Sequence, residues 1–364
     1  MDRATLRDMF SLRQHLAAIM IGVLFLGAVL PFLLHNREIA RRNECAQKLR
    51  EIGVAIQNYE ASFKKFPQVS TENFPQIPGG PESGFSWLCR IQPYMEMTGL
   101  YSGIPAAAHK FAPIRSGGVA AFDSTVRDAA GRHYSTVELA KLICPSSSGQ
   151  PYADLSGSSP YANVVLQKPV NSSYSLDGGP PPRGIGISNY AATAATHIEL
   201  VSSLTSSAPS ANNCNGVIIP NRGVKLSEIT DGTNNTILAC ETRERRLNPW
   251  IDGAVNWVVG ANPNNASAPA TDGKGLIALP AGAGTSLNVG PAKETPNTRY
   301  LSLARSPNGY EWAWGPSSEH GDIVMHVYAN ASVRAQSNQI DPTLYLRLIT
   351  RAGADPVVDP GVVQ

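Results

Sequence analysis

Between Leu16 and Leu34 the chain reads LAAIMIGVLFLGAVLPFLL, about 19 residues without a charge. As a helix this run is roughly 28 Å long, enough for the hydrocarbon core of a bilayer. Pro31 lies near its end, and membrane helices accept proline better than soluble ones do. A cleaved secretory signal is the competing reading. Its apolar region would span about 7–15 residues and end at small residues. Here the run is longer and Leu34-His35-Asn36-Arg37 follows it. The pattern predicts a retained single-pass anchor.

Past this run the apolar positions become periodic. Cys45, Leu49, Ile52, Ile56, Tyr59 and Phe63 recur at intervals of four and three, which is one stripe on a helix. Lys48, Arg50, Glu51, Gln57 and Glu60 fall mostly on other faces. No proline interrupts residues 32 to 66, and Phe66-Pro67 closes the run. The prediction is one helix of about 50 residues, from near Phe10 to near Lys65, whose second half must bury its stripe. A coiled-coil dimer would also bury it, but the stripe falls short of the three or four heptads such a pairing needs.

The remaining pattern is mostly β with loops. Trp87 to Tyr101 reads as a helix broken around Pro93. Ser135 to Leu142 reads as a short helix capped by Ser135, with Glu138 three residues on. Val217-Ile218-Ile219 and Thr236-Ile237-Leu238-Ala239 read as buried strands. Leu226 to Ile229 is a helical turn between them, and Asp231-Gly232 is a turn signal. Trp250 to Val259 adds a strand pair. Ile323 to Ala335 alternates as a hairpin turning at Ala329-Asn330-Ala331, where Asn330 tolerates positive φ in place of glycine. Leu344 to Arg351 is a short helix or strand. The fold class expected is α+β: a long N-terminal transmembrane helix packed on an antiparallel sheet with long loop insertions. The corresponding organisation is a short N-terminal segment and membrane helix over 1–35, its extramembrane continuation over 36–66, and a β-rich globular domain over 67–364. Insertions are expected near 145–186 and 260–296.

Composition agrees with a loop-rich domain: Gly 32 and Pro 28, with only 16 % charged residues. The net charge of +2 and the absence of long Lys/Arg runs give no reason to expect nucleic acid. Arg3, Arg7 and Arg13 precede the apolar run, whereas Arg37, Arg41, Arg42, Lys48 and Arg50 follow it. Counted alone, that asymmetry would put the C-terminal side in the cytoplasm, but long domains translocate largely regardless of charge.

Several short motifs occur in order. Arg37-Glu38, Ala40-Arg41-Arg42, Cys45 and Leu49-Arg50-Glu51-Ile52-Gly53 come first, then Asn58-Tyr59, Phe66-Pro67, Ser86-Trp87 and Pro93-Tyr94. Cys144-Pro145, Ser188-Asn189-Tyr190 and the run from Ile229 to Ile237 follow, including Asp231, Gly232 and Asn235, and His320 begins the last motif. In these features the chain resembles a bacterial family of unestablished function. Its members are similar to type IV pilins and type II secretion pseudopilins at the N-terminus. They end in a signature of His, nine residues and Asp-Gly, associated with prepilin-type processing. The resemblance covers roughly residues 30–350. Aligned on Pro31, it puts Phe10 at the first mature position, Met9 where Gly is expected, and Gln14 where a Glu belongs. At the other end Asn330-Ala331 stand where the family has Asp-Gly.

The resemblance implies an envelope protein anchored in the cytoplasmic membrane, with its C-terminal domain extracytoplasmic. Its expected partners are membrane lipid through the N-terminal helix and other pilin-like subunits, with no nucleic acid. Its role is structural or interactive in a secretion- or pilus-like assembly; a static tethered binding module is the alternative, and an envelope enzyme a weaker one. Cys45 and Cys144 coincide with family positions, so a disulfide between them is implied, with Cys214–Cys240 as a second candidate. Both would need an oxidising compartment. No C-x-x-C, Walker A loop, G-x-S-x-G elbow or H-E-x-x-H motif occurs, so no catalytic residue, cofactor or metal site is expected. His320 and His326 would share a face on one regular strand, but no further metal ligands accompany them in the sequence. Asp231, Thr233 and Asn234 have the hard oxygens calcium uses, although side-chain hydrogen bonds within a turn account for them better.

Overall fold

The computed structural model describes residues 3–71, 84–97, 113–116, 119–122, 137–147, 150–153, 185–197, 200, 214–243, 248–253, 255–261, 288–289, 315–320, 323–337 and 339–353. The chain divides into two compact units, Met1–Glu44 and Cys45–Gln364.

Helix α1 runs over Arg3–Phe63, starting earlier than the sequence pattern predicts. Ile19, Met20, Ile21, Val23, Leu24 and Phe25 are between 62 % and 73 % exposed, and Leu30, Leu33 and Leu34 are exposed too. Among the described residues, no helix is long and apolar enough to cross a membrane. The side chains of Leu16, Leu26, Ala28, Val29, Pro31 and Phe32 lie outside those residues, as do those of Met9, Phe10 and Gln14.

In the second unit the predicted stripe is buried at Cys45, Leu49, Ile52 and Ile56. Tyr59 is half-buried and Phe63 is exposed. The helix ends because Lys64 takes a positive φ of 58° while its N–H bonds the Glu60 carbonyl, and Phe66 then turns into the core.

The stripe packs on a five-stranded sheet of order β5-β3-β4-β8-β9. Its strands are β3 (Tyr190–Ala195), β4 (Ile237–Glu241), β5 (Trp257–Val259), β8 (Ile323–Tyr328) and β9 (Val333–Ser337). Three pairings are antiparallel, but β5 lies parallel to β3, so the sheet is mixed rather than purely antiparallel. Period-two alternation along β8 sends Met325 and Val327 into the core containing Leu49, Ile52 and Ile56. Tyr328 points the other way, into a cluster with Tyr345, Leu346, Leu348 and Ile349. These last residues belong to helix α3 (Pro342–Ile349), capped by Asp341 Oδ1 accepting the Leu344 N–H at 2.9 Å, with Pro342 in the first turn. The unit is thus three layers, helix, sheet and helix, and each face buries large side chains worth roughly 1.5–3 kcal/mol apiece.

Smaller elements are α2 (Trp87–Ile91), running into a 3-10 turn over Gln92–Met95 with Pro93 in it, and the paired strands β1 (Pro113–Ser116) and β2 (Val119–Phe122). A second short pair joins β6 (Asn288–Val289) to β7 (Ser317–Ser318). The predicted turn at Leu226 is a 3-10 turn over Leu226–Glu228.

Four expectations are corrected. The helix expected over Ser135 to Leu142 shrinks to a 3-10 turn over Ala140–Leu142. Leu139 is extended, and the Val137 carbonyl accepts the Trp250 indole N–H at 2.9 Å instead of a helical donor; Ser135 lies outside the described residues. Val217 to Ile219 is buried but forms only an isolated bridge, Ile218 with Gly223. Of the strand pair expected over Trp250 to Val259, only β5 exists; residues 250–253 turn instead. In the hairpin, positive φ falls on Ala331, at 62°, not on Asn330. Asn330 instead accepts the Ser332 N–H at 3.0 Å and donates to Asn234 Oδ1 at 2.7 Å. Most of the expected insertions near 145–186 and 260–296 lies outside the described residues.

Candidate functional site

Four chemically active side chains converge where α1, the 3-10 turn, β4 and the entry to β8 meet. Cys45 and Cys144 form a disulfide across a separation of 99 residues. His320 Nε2 lies 3.5 Å from Cys144 Sγ and 3.5 Å from Glu241 Oε1. The ligand-type atoms of Cys45, Cys144, Glu241 and His320 all lie within 4.8 Å of one another, and all four residues are buried.

Each is placed by local structure. Lys48 Nζ, one turn after Cys45, donates to the Ile143 carbonyl at 2.9 Å. Asn189 Oδ1 accepts the Cys144 N–H at 3.0 Å, and its Nδ2 donates to the Thr242 carbonyl at 3.2 Å. Tyr190 donates its hydroxyl to the Cys45 carbonyl at 3.3 Å. Glu241 ends β4; its Oε2 accepts the Met325 N–H at 3.1 Å. Its buried Oε1 accepts no hydrogen bond among the described residues. A small surface pocket opens beside the cluster, lined in part by Cys144, Asn189, Glu241, Arg243 and Glu319.

Asp231, Gly232, Asn235 and Asn330 gather at a separate latch. Asp231 Oδ2 accepts the Thr350 hydroxyl at 3.1 Å and the Gly353 N–H at 2.6 Å. Gly232 has φ +92°, a value that favours glycine. Its carbonyl accepts the Thr236 hydroxyl at 3.1 Å and the Asn235 N–H at 3.0 Å. Asn330 donates its backbone N–H to the Thr233 carbonyl at 3.1 Å. The run from Asp231 therefore ties the hairpin tip to the end of α3. Asp231 spends its carboxylate on chain contacts, as a side-chain-bonded turn requires.

Cys214 does not bridge Cys240. Both are buried thiols; Cys214 Sγ points at the Leu200 carbonyl at 3.6 Å and Cys240 Sγ at the Ala191 carbonyl at 3.8 Å, on different elements. Burial pushes the thiols of Cys89, Cys214 and Cys240 up to about 12, so none is a ready nucleophile. The two histidines considered together are also apart. β8 begins only at Ile323, so His320 precedes it, and His326 Nε2 sits 3.0 Å from the Tyr345 hydroxyl on the α3 side. Sequence reasoning passed over Glu241. Its signal was a carboxylate ending a run of buried strand residues, where a charge calls for a specific partner.

The family of proteins of unknown function designated DUF1559 (SBP_bac_10) matches residues 35–343. The chain belongs to that family. No curated protein matches it, and no solved structure does. The DUF1559 match includes Cys45, Cys144, Asp231, Glu241, His320 and Asn330, and begins just after the apolar run.

Proposed function

We propose that this DUF1559 protein is a non-catalytic, pilin-like envelope protein, anchored in the cytoplasmic membrane by the first half of α1 and presenting its second unit on the extracytoplasmic side. The observation that carries the reading is the run of exposed apolar side chains from Ile19 to Leu34. A soluble monomer rarely leaves so much contiguous apolar surface in water, whereas lipid would cover it. The Cys45–Cys144 disulfide supports an oxidising compartment for the second unit. The signature residues serve chain contacts and the bridge, which favours a structural or interaction role, in a secretion- or pilus-like assembly, over catalysis.

The test is the N-terminal residue and intact mass of native protein extracted from membranes. A chain beginning at Phe10, with a methylated amine, supports processing and assembly with pilin-like partners. A chain found only in the soluble fraction after lysis overturns the anchor. Gln14 favours a second reading, a static tethered module. With no carboxylate at that position, the pairing with a neighbouring subunit's N-terminus in an apolar filament core is weakened. A membrane-bound chain retaining Met1 supports that version.

A further inference from the structure

We propose that Cys45, Cys144, Glu241 and His320 are a two-state centre: a disulfide when oxidised, and a site for a thiophilic divalent cation of the zinc class when reduced. This inference is independent of the membrane reading, since it uses only contacts inside the second unit.

The argument is geometric. Tetrahedral zinc holds sulfur at about 2.3 Å and nitrogen or oxygen at about 2.0–2.2 Å. Those bond lengths set a ligand sulfur and a ligand nitrogen roughly 3.5 Å apart, and a nitrogen and an oxygen roughly 3.4 Å apart. The structure has Cys144 Sγ at 3.5 Å from His320 Nε2, and His320 Nε2 at 3.5 Å from Glu241 Oε1. Two edges of a metal tetrahedron are therefore already in place. The bonded sulfurs must part to about 3.8 Å, and the remaining edges, none longer than 4.8 Å, must close around the cation.

The donor set is also right chemically. Two thiolates, a neutral imidazole and a carboxylate make a site with soft and borderline ligands. Glu241 Oε1 is a buried carboxylate oxygen that accepts no hydrogen bond among the described residues and has the His320 imidazole at 3.5 Å; a buried carboxylate is costly unless a protonated imidazole or a bound cation meets it. Its other oxygen is fixed by the Met325 N–H, as an outer-shell contact would fix a ligand. A small pocket at Cys144 and Glu241 reaches the surface beside the cluster, with Arg243 and Glu319 on its wall.

The step balances. A dithiol reductant gives two electrons and two protons to the Cys45–Cys144 bond, which breaks to two thiols while the reductant closes to its own disulfide. Cation binding then releases the two thiol protons to solvent. In reverse, a disulfide oxidant takes two electrons from the thiolates, the S–S bond re-forms and the cation leaves.

The full-length protein, reduced with a phosphine that is then removed anaerobically, is titrated with Co2+ as the optical probe and competed with Zn2+. The expected result is one Co2+ per chain, with tetrahedral d–d bands and a thiolate charge-transfer band that Zn2+ abolishes, and neither band in the disulfide form. His320→Ala and Glu241→Gln should each weaken binding roughly tenfold or more. The proposal is overturned if the reduced and disulfide forms give the same cobalt spectrum, or if both substitutions leave the affinity unchanged. Circular dichroism covers the case in which reduction unfolds the chain. Zn2+ is then expected to restore the fold, and failure to restore it overturns the proposal as well.

Discussion

The side-chain oxygen of Asn189 accepts the backbone N–H of Cys144 at 3.0 Å, so the residue just before β3 also sets the position of one half of the disulfide. Its neighbour Tyr190 reaches the Cys45 carbonyl with its hydroxyl. One dipeptide thus holds both ends of the bridge, from the start of β3. That gives Ser188-Asn189-Tyr190 a physical reason to occur as a motif, which the sequence alone does not supply.

Replacing Asn189 by Ala should therefore cost more than an ordinary surface change. It leaves the buried Cys144 N–H and the Thr242 carbonyl each without its side-chain partner, at about 1–3 kcal/mol per group. Denaturant unfolding of the oxidised protein should lose roughly 2–4 kcal/mol. A loss under about 0.5 kcal/mol, the scale of neutral surface substitutions, would show that water replaces both bonds.

The bridge itself should stabilise the second unit chiefly through the long loop it closes. Cys45→Ala with Cys144→Ala opens a loop of 99 residues, for which about 2–4 kcal/mol of stability is typical. Thermal unfolding of the double variant against the oxidised parent measures this. Non-reducing peptide mapping should recover the Cys45–Cys144 pair and leave Cys89, Cys214 and Cys240 as alkylatable thiols after unfolding. A Cys214–Cys240 peptide would contradict the structure.

What was legible in the sequence follows from which signals are local. The stripe Cys45, Leu49, Ile52, Ile56 and the alternation of Ile323 to Tyr328 are patterns of single elements, and both elements formed. The turn at Asp231-Gly232 was legible because glycine at positive φ is a local demand. Partners across the sheet were not legible. The parallel edge at β5 depends on where a connection crosses, and the cluster around Cys144 depends on four segments meeting. Val217 to Ile219 looked like a strand because burial and β-branching are what strands have in common with buried loops. The helix expected over Ser135 to Leu142 keeps only its last turn, Ala140–Leu142, because the Val137 carbonyl is taken by a tertiary contact, the Trp250 indole.

Gly53 marks a close approach of helix and hairpin. A Cβ there would stand 2.5 Å from Val327 Cγ2 and 3.1 Å from the Ala331 Cα. Gly53→Ala should therefore destabilise by about 1–3 kcal/mol through overpacking, although alanine is the better helix former by about 1 kcal/mol. The two effects oppose, so the sign of the measured change decides between them. A stabilised variant would mean that the hairpin can move away from α1.

Ala331 takes a left-handed conformation, and the strain of such a residue is about 1–2 kcal/mol. Ala331→Gly relieves it but adds unfolded-chain entropy worth about 0.4–1 kcal/mol. The net expectation is a gain of roughly 0.5 kcal/mol, read as a higher denaturation midpoint with an unchanged slope. Ala331→Val should fall clearly below the parent, because a β-branched residue fits that region worst. Equal stability of all three would mean that the turn relaxes to another geometry.

His197 should make the protein acid-sensitive. It is fully buried, and burial holds its pKa down to about 4, from 6.5. Its Nδ1 sits 3.0 Å from the Thr196 hydroxyl, which also accepts from Asn215 Nδ2 at 2.9 Å. The unfolded chain therefore binds a proton below about pH 6.5 that the folded chain refuses until about pH 4. In that window unfolding takes up a proton, so stability falls as pH falls, by up to about 1.4 kcal/mol per pH unit. Above pH 6.5 both states are neutral and the contribution is constant. The check is the difference in unfolding free energy between the parent and His197→Gln, followed from pH 7 to pH 4. It should shift against the parent by on the order of 2–4 kcal/mol across the window. A difference that stays flat would mean that His197 is protonated in the folded chain, and that the segment around Thr196 admits water.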